Sequence, residues 1–115
     1  NNFELSTRVP LILSVPGQQN AGRKCGRLVE LVDVYPTLAD VCGLKTPVGV
    51  EGVSMQPLLV ELNRPWKLTI FSQYPCDRIS HRQRSHGDIM GYAVRTERCH
   101  YVEWQEWETK KIVAR

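Results

Sequence analysis

The densest chemical potential in the sequence lies in Asp77-Arg78-Ile79-Ser80-His81-Arg82-Gln83-Arg84-Ser85-His86-Gly87-Asp88, where three arginines and two histidines fall within nine residues. The arginine guanidinium is a planar, permanently charged fork that grips sulfate, phosphate or carboxylate through two parallel hydrogen bonds. Histidines add donors that charge at mildly acidic pH. These types at this density suit recognition of an anionic substrate, and the candidate binding residues are Arg78, His81, Arg82, Arg84 and His86. The bland reading is a solvated surface loop, which is what most charge runs are.

Other constellations are weaker. No serine stands in Gly-x-Ser-x-Gly, and the adjacency of Ser80 and His81 says nothing about geometry. Glu103 with Glu106, or Asp77 with Asp88, offer paired carboxylates, but charged residues on exposed strands are usually only solvated. Gly17, Gly22 and Gly26 lack the Lys-Ser/Thr ending of a phosphate loop. Trp66, Trp104 and Trp107 suit either a sugar-stacking platform or the cover of a small sheet. The cysteines at 25, 42, 76 and 99 form no Cys-x-x-Cys pair and match no zinc spacing. One or two disulfides are open in an oxidising compartment, whereas Cys42, in an apolar helical context, is expected as a buried thiol.

These residues must be held by a globular framework. The chain has 115 residues, 42% hydrophobic and 23% charged, a composition that excludes disorder. A net charge of +3 is far from the basic stripe of a nucleic-acid binder, so no nucleic-acid partner is expected. No apolar run reaches the length of a membrane span. Asn1-Asn2-Phe3-Glu4 has neither a Met nor a signal-like start, and the last residues resemble a strand, so both ends read as cut points of a longer protein.

Val9 to Val15 is a nearly continuous apolar run closed by Pro16-Gly17, the pattern of a strand covered on both faces of a parallel sheet. Leu31, Val34, Tyr35, Leu38 and Val41 recur at helical spacing, predicting a helix over about 31–43. Asp33 is its expected N-cap, Pro36 falls in its first turn and Gly43 stops it. A loop follows, with one helical turn near Pro57. Leu68 to Tyr74, Met90 to Arg95 and His100 to Trp107 are strand-like, the last two joined by Thr96-Glu97-Arg98 as a hairpin. Residues 1–62 thus read as the end of an α/β domain and 63–115 as a small antiparallel-sheet subdomain.

Three segments resemble the sulfatase family: Ser6-Thr7-Arg8-Val9-Pro10-Leu11-Ile12-Leu13-Ser14-Val15-Pro16-Gly17, then Leu28 through Leu44, then Glu51-Gly52-Val53-Ser54-Met55-Gln56-Pro57-Leu58-Leu59. Phe71-Ser72-Gln73-Tyr74-Pro75 and Ile89-Met90-Gly91-Tyr92-Ala93-Val94-Arg95-Thr96 are similar to segments of its iduronate-2-sulfatase-like branch. The basic loop is where the chain departs most from the pattern. The resemblance implies an α/β, alkaline-phosphatase-like fold, here the end of the large sheet domain plus the small C-terminal sheet.

The resemblance also implies sulfate-ester hydrolysis by a formylglycine made from Cys or Ser in Cys/Ser-x-Pro/Ala-x-Arg, with a divalent cation, usually calcium. It further implies a secreted, periplasmic or lysosomal parent, and a sulfated, uronic-acid-containing glycan as substrate. No cysteine or serine here has that context, and no Asp-Asp or Asp-His/Asn metal pair occurs. The family's last metal ligands and active-site lysine precede the segment matching Asn2-Phe3-Glu4. No catalytic residue, metal ligand or cofactor is therefore assigned to this chain. Its partners would be the rest of the sulfatase, the parent's substrate and, for the chain alone, other copies of itself. The alternatives are a non-catalytic structural or anion-binding piece, or part of a related phosphodiesterase of the same superfamily. The upstream motif would separate these.

Overall fold

The structure, a computed structural model, describes residues 4–76 and 89–115. Leu11–Leu68 forms one compact unit, and Thr69–Arg115 with the chain's first residues up to Pro10 forms the other. A short helix, α1 (Glu4–Thr7), belongs to the second. Among the described residues no helix is long and apolar enough to cross a membrane.

In the Leu11–Leu68 unit the apolar run ends where expected. The Gln18 amide donates to the Val15 carbonyl across Pro16-Gly17, and Gly17 takes the positive φ of 75° that the third position of a type II turn requires. The strand expected over 9–15 is not formed: residues 8–15 belong to no helix or strand. A strand exists only when its amides and carbonyls meet a neighbour's, and no described segment pairs with this one. Ile12 is 88% exposed.

From Asn20 the loop is laced to residues 59–63. The Asn20 side-chain amide donates to the carbonyls of Leu59 (3.0 Å) and Val60 (2.8 Å), and Arg27 donates to the Asn63 carbonyl. A 3-10 turn (Leu31–Asp33) leads into α2 (Val34–Val41), so the predicted helix is present and Pro36 sits in its first turn. It ends in a Schellman motif. The Gly43 amide bonds the Asp40 carbonyl, the Leu44 amide bonds the Ala39 carbonyl, and Gly43 adopts φ 68°. Near Pro57 the expected helical turn is α3 (Gln56–Val60). Met55 and Leu58 at its start, with Ala39 of α2, form the buried apolar centre.

The Thr69–Arg115 unit is a four-stranded antiparallel sheet in the order β1 (Thr69–Cys76), β2 (Ile89–Thr96), β3 (His100–Glu106) and β4 (Ile112–Ala114). The architecture is α+β. β1 is an edge strand, which is why it tolerates Pro75. Thr96 closes the β2–β3 hairpin: its amide donates to the Cys99 carbonyl at 2.8 Å while its hydroxyl accepts from the Cys99 amide at 2.9 Å. On β2 the alternate residues Ile89, Gly91 and Ala93 are buried. The register puts Trp104 opposite Gly91 and Val102 opposite Ala93 on that same face. Tyr101, Glu103 and Gln105 alternate with them onto the other, more polar face.

Candidate functional site

The basic cluster Arg78, His81, Arg82, Arg84 and His86 lies outside the described residues. What is described is its root. β1 ends at Cys76, β2 begins at Ile89, and these two residues are paired across the ladder. Residues 77–88 therefore join the paired ends of two antiparallel neighbours.

The most ordered polar constellation lies on α2, built upward from Asp33. This residue stands at the N-cap position, but its carboxylate does not cap the helix. It accepts from the Glu30 amide (2.9 Å), from the Val53 amide (2.8 Å) and from the Lys67 ammonium (2.7 and 2.9 Å), and it is 0% exposed. Lys67 also reaches Glu30 at 2.7 Å. Burial alone would push the Asp33 carboxyl upward, but the ammonium and the two amides outweigh it and hold the group below its ordinary value. For Lys67, burial acts downward, and the carboxylates of Asp33 and Glu30 outweigh it to raise the ammonium.

One and two turns further along, Thr37 and Asp40 continue the same function. The Thr37 hydroxyl accepts from the Met55 amide at 2.8 Å, and Asp40 accepts from the Ser54 hydroxyl at 2.7 Å. Asp33, Thr37 and Asp40 thus hold residues 53–55 alongside the helix. Gly52 makes this approach possible, because a Cβ there would collide with the Val32 carbonyl. This arrangement is a scaffold clamp: the buried Asp33 carboxylate is taken up by a lysine and two amides, while Asp40, exposed at the far end, holds the Ser54 hydroxyl.

The remaining candidates separate. Glu103 and Glu106 alternate onto opposite faces of β3 and cannot act as an acid–base pair. Glu103 accepts from the Gln105 side-chain amide (2.6 Å) and the Tyr101 hydroxyl (2.7 Å), and these, with Arg115, hold its carboxyl below the ordinary range. Trp104 lies on the covered face of the sheet, and Trp107 sits at the β3–β4 turn beneath the Lys110 ammonium, 4.2 Å from its ring centre. Trp66 is half-buried in the Leu11–Leu68 unit. The four cysteines are free and exposed. For Cys42 this corrects the buried thiol expected from its apolar context: it is the C-cap of α2 on the helix's outward side.

Among the described residues no three His, Cys, Asp or Glu side chains converge to hold a metal ion. Among the described residues none fits the divalent cation of sulfatases, and no Cys or Ser of the sequence stands in the formylglycine motif. Lys67 is what the sequence reading missed. A single lysine between Trp66 and Leu68 gives no signal of a partner more than thirty residues away.

Comparison with known proteins gives one family model, that of the N-sulphoglucosamine sulphohydrolase C-terminal region, matching residues 2–113. Human arylsulfatase K is 37% identical over 60% of this chain, and an arylsulfatase of Clostridium perfringens is 35% identical over 63%. Mouse iduronate 2-sulfatase is 29% identical over 99% of the chain. The chain spans only 15%, 16% and 30% of the lengths of these three relatives, in that order.

Proposed function

This chain belongs to the N-sulphoglucosamine sulphohydrolase C-terminal family, a sulfatase C-terminal region, and from that premise we propose that it serves a parent sulfatase by carrying substrate-recognition residues beside a catalytic centre built elsewhere in the polypeptide. The parent's reaction is hydrolysis of a sulfate ester, with the formylglycine and the divalent cation supplied by that other sequence. Its substrate is a sulfated glycan containing uronic acid, and its location is extracytoplasmic. Arg78, His81, Arg82, Arg84 and His86 recognise the acidic groups of that glycan.

One observation carries the recognition role: the densest run of arginine and histidine falls in the segment joining the paired ends of β1 and β2. Binding residues concentrate on such connections because a rigid sheet positions them while their own sequence stays free to vary. In the full-length parent, Arg78→Ala, Arg82→Ala and Arg84→Ala should each lower kcat/KM on the glycan by about 1–3 kcal/mol, as for hydrogen bonds to charged groups. A minimal aryl sulfate, which lacks the acidic sugar, should lose much less. Near-wild-type values on the glycan for all three variants would reduce 77–88 to a solvated loop.

A further inference from the structure

The fold separates the tryptophans that suit a sugar platform. Trp104 lies on the covered face of the sheet and Trp66 is half-buried, whereas Trp107 is 44% exposed. Trp107 opens the β3–β4 turn, residues 107–110, which two backbone bonds close. The Lys110 amide donates to the Glu106 carbonyl (3.0 Å), and the Glu106 amide donates to the Lys111 carbonyl (2.9 Å). Lys110 ends the turn in the left-handed region, at φ 57°, where glycine or asparagine is the usual occupant. Lysine brings nothing to that backbone position that glycine would not bring with less strain. What it does bring is an ammonium, set 4.2 Å from the centre of the Trp107 ring. Glu106 pairs with Ile89, and Ile89 with Cys76, so the three stand in one row across this end of the sheet. The turn therefore leaves β3 one strand spacing, about 5 Å, from the start of β2.

We propose that Trp107 and Lys110 form a subsite for one acidic sugar unit of the parent's glycan. The Lys110 ammonium pairs with a sulfate or carboxylate, and the indole packs against the C–H face of the same sugar ring. The proposal rests on the reading of the parent as a sulfatase of uronic-acid-containing glycans. The ammonium covers only part of the two-ring indole, so an anion bound to it brings the attached sugar down on the remainder. A small inorganic anion would use the lysine and leave the indole idle, and a neutral sugar would do the reverse. The two groups together select an acidic sugar. The carboxylates of the turn bear on this choice. Glu106 accepts from the Thr109 hydroxyl at 2.6 Å, while Glu108 is exposed and opposes the bound anion. The subsite thus adds specificity for an acidic ring more than bulk affinity.

The test is inhibition of the full-length parent's aryl sulfate turnover by a heparin-derived tetrasaccharide, a sulfated chain that contains uronic acid. Trp107→Ala should raise the inhibition constant about tenfold, and Trp107→Phe, which keeps a ring, about twofold. Lys110→Gly removes the ammonium and relaxes the backbone, so this variant should melt at or above the wild-type temperature. Its inhibition constant should rise about fivefold at low ionic strength and far less in about 0.5 M salt. Aryl sulfate kcat/KM without the tetrasaccharide should keep its wild-type value in each variant. Unchanged inhibition constants in Trp107→Ala and Lys110→Gly would overturn the subsite. A rise matched by an equal fall in aryl sulfate turnover would overturn it in favour of a structural role. The arginine variants separate the two readings. If only Arg78→Ala, Arg82→Ala and Arg84→Ala weaken inhibition, the subsite fails and the proposed function stands. If only the turn variants weaken it, the subsite stands and the recognition role of 77–88 fails. A wild-type parent that the tetrasaccharide does not inhibit defeats both.

Discussion

Asp33 is the residue on which the Leu11–Leu68 unit turns. A carboxylate at 0% exposure is tolerated only because an ammonium and two backbone amides replace its water. Removing Lys67 would leave that charge uncompensated. Lys67→Met should therefore destabilise by about 3 kcal/mol at neutral pH, in line with the breaking of buried ion pairs. The pH dependence follows from the two directions. Asp33 is held below its ordinary 3.8, so its contribution is present above that value and fades as pH falls through the lower folded value. Lys67 is raised above its ordinary 10.5, so its contribution is present below that and fades as pH rises through the higher folded value. Between these limits the pair adds a pH-independent amount. Thermal melting of the full-length parent, wild type against Lys67→Met, should show a constant deficit from about pH 5 to 9 that narrows in strong acid. Identical melting of the two proteins at neutral pH would refute the role given to the pair.

At the scale of elements, the clamp between α2 and residues 52–55 is the feature that fixes local geometry. Gly52 faces the Val32 carbonyl at a distance no Cβ can share, whereas a Cβ at Gly26 would meet nothing within 4 Å. Gly52→Ala should cost roughly 1–3 kcal/mol, the range for overpacking, and Gly26→Ala should be near neutral. Matched melts of the two variants check this, and equal stability would mean that the 52–55 segment is not held as described. The elements themselves were largely visible in the sequence. β2 and β3 announce themselves by β-branched and aromatic residues around a short polar link, and α2 by its three-and-four spacing. The sequence did not reveal which face of α2 turns inward, because periodicity gives the stripe and leaves its partner open. It equally hid Asp33's true partners, since capping and ion pairing look alike when only the local residues are read.

For the molecule as a whole, the sulfatase reading places the nucleophile and metal ligands elsewhere in the parent. The purified 115-residue chain with added calcium should release no sulfate from an aryl sulfate, since an activated nucleophile and a polarising cation carry such hydrolysis. Turnover that survives repurification would sink that expectation. The exposed run Val9, Leu11 and Ile12, together with the outer face of α2, should also make the isolated chain self-associate in an open-ended, concentration-dependent way. Light scattering that shows a monodisperse monomer would count against it.

By itself the sequence determined the order and type of α2, α3 and the strands β1 to β3, and the family. Each of these is written in local runs: Leu28 to Leu44 with its periodic apolar residues and its stop at Gly43, and Ile89 to Thr96 with its strand-forming residues. Tertiary structure alone decided that Val9–Val15 pairs with no strand among the described residues, that Cys42 faces outward and that Lys67 neutralises Asp33. Each of those outcomes depends on a neighbour distant in sequence or absent from it. A strand needs a second strand for its amides, and a buried thiol needs a covering surface. A buried carboxylate needs a cation, and in this fold that cation arrives from 34 residues away.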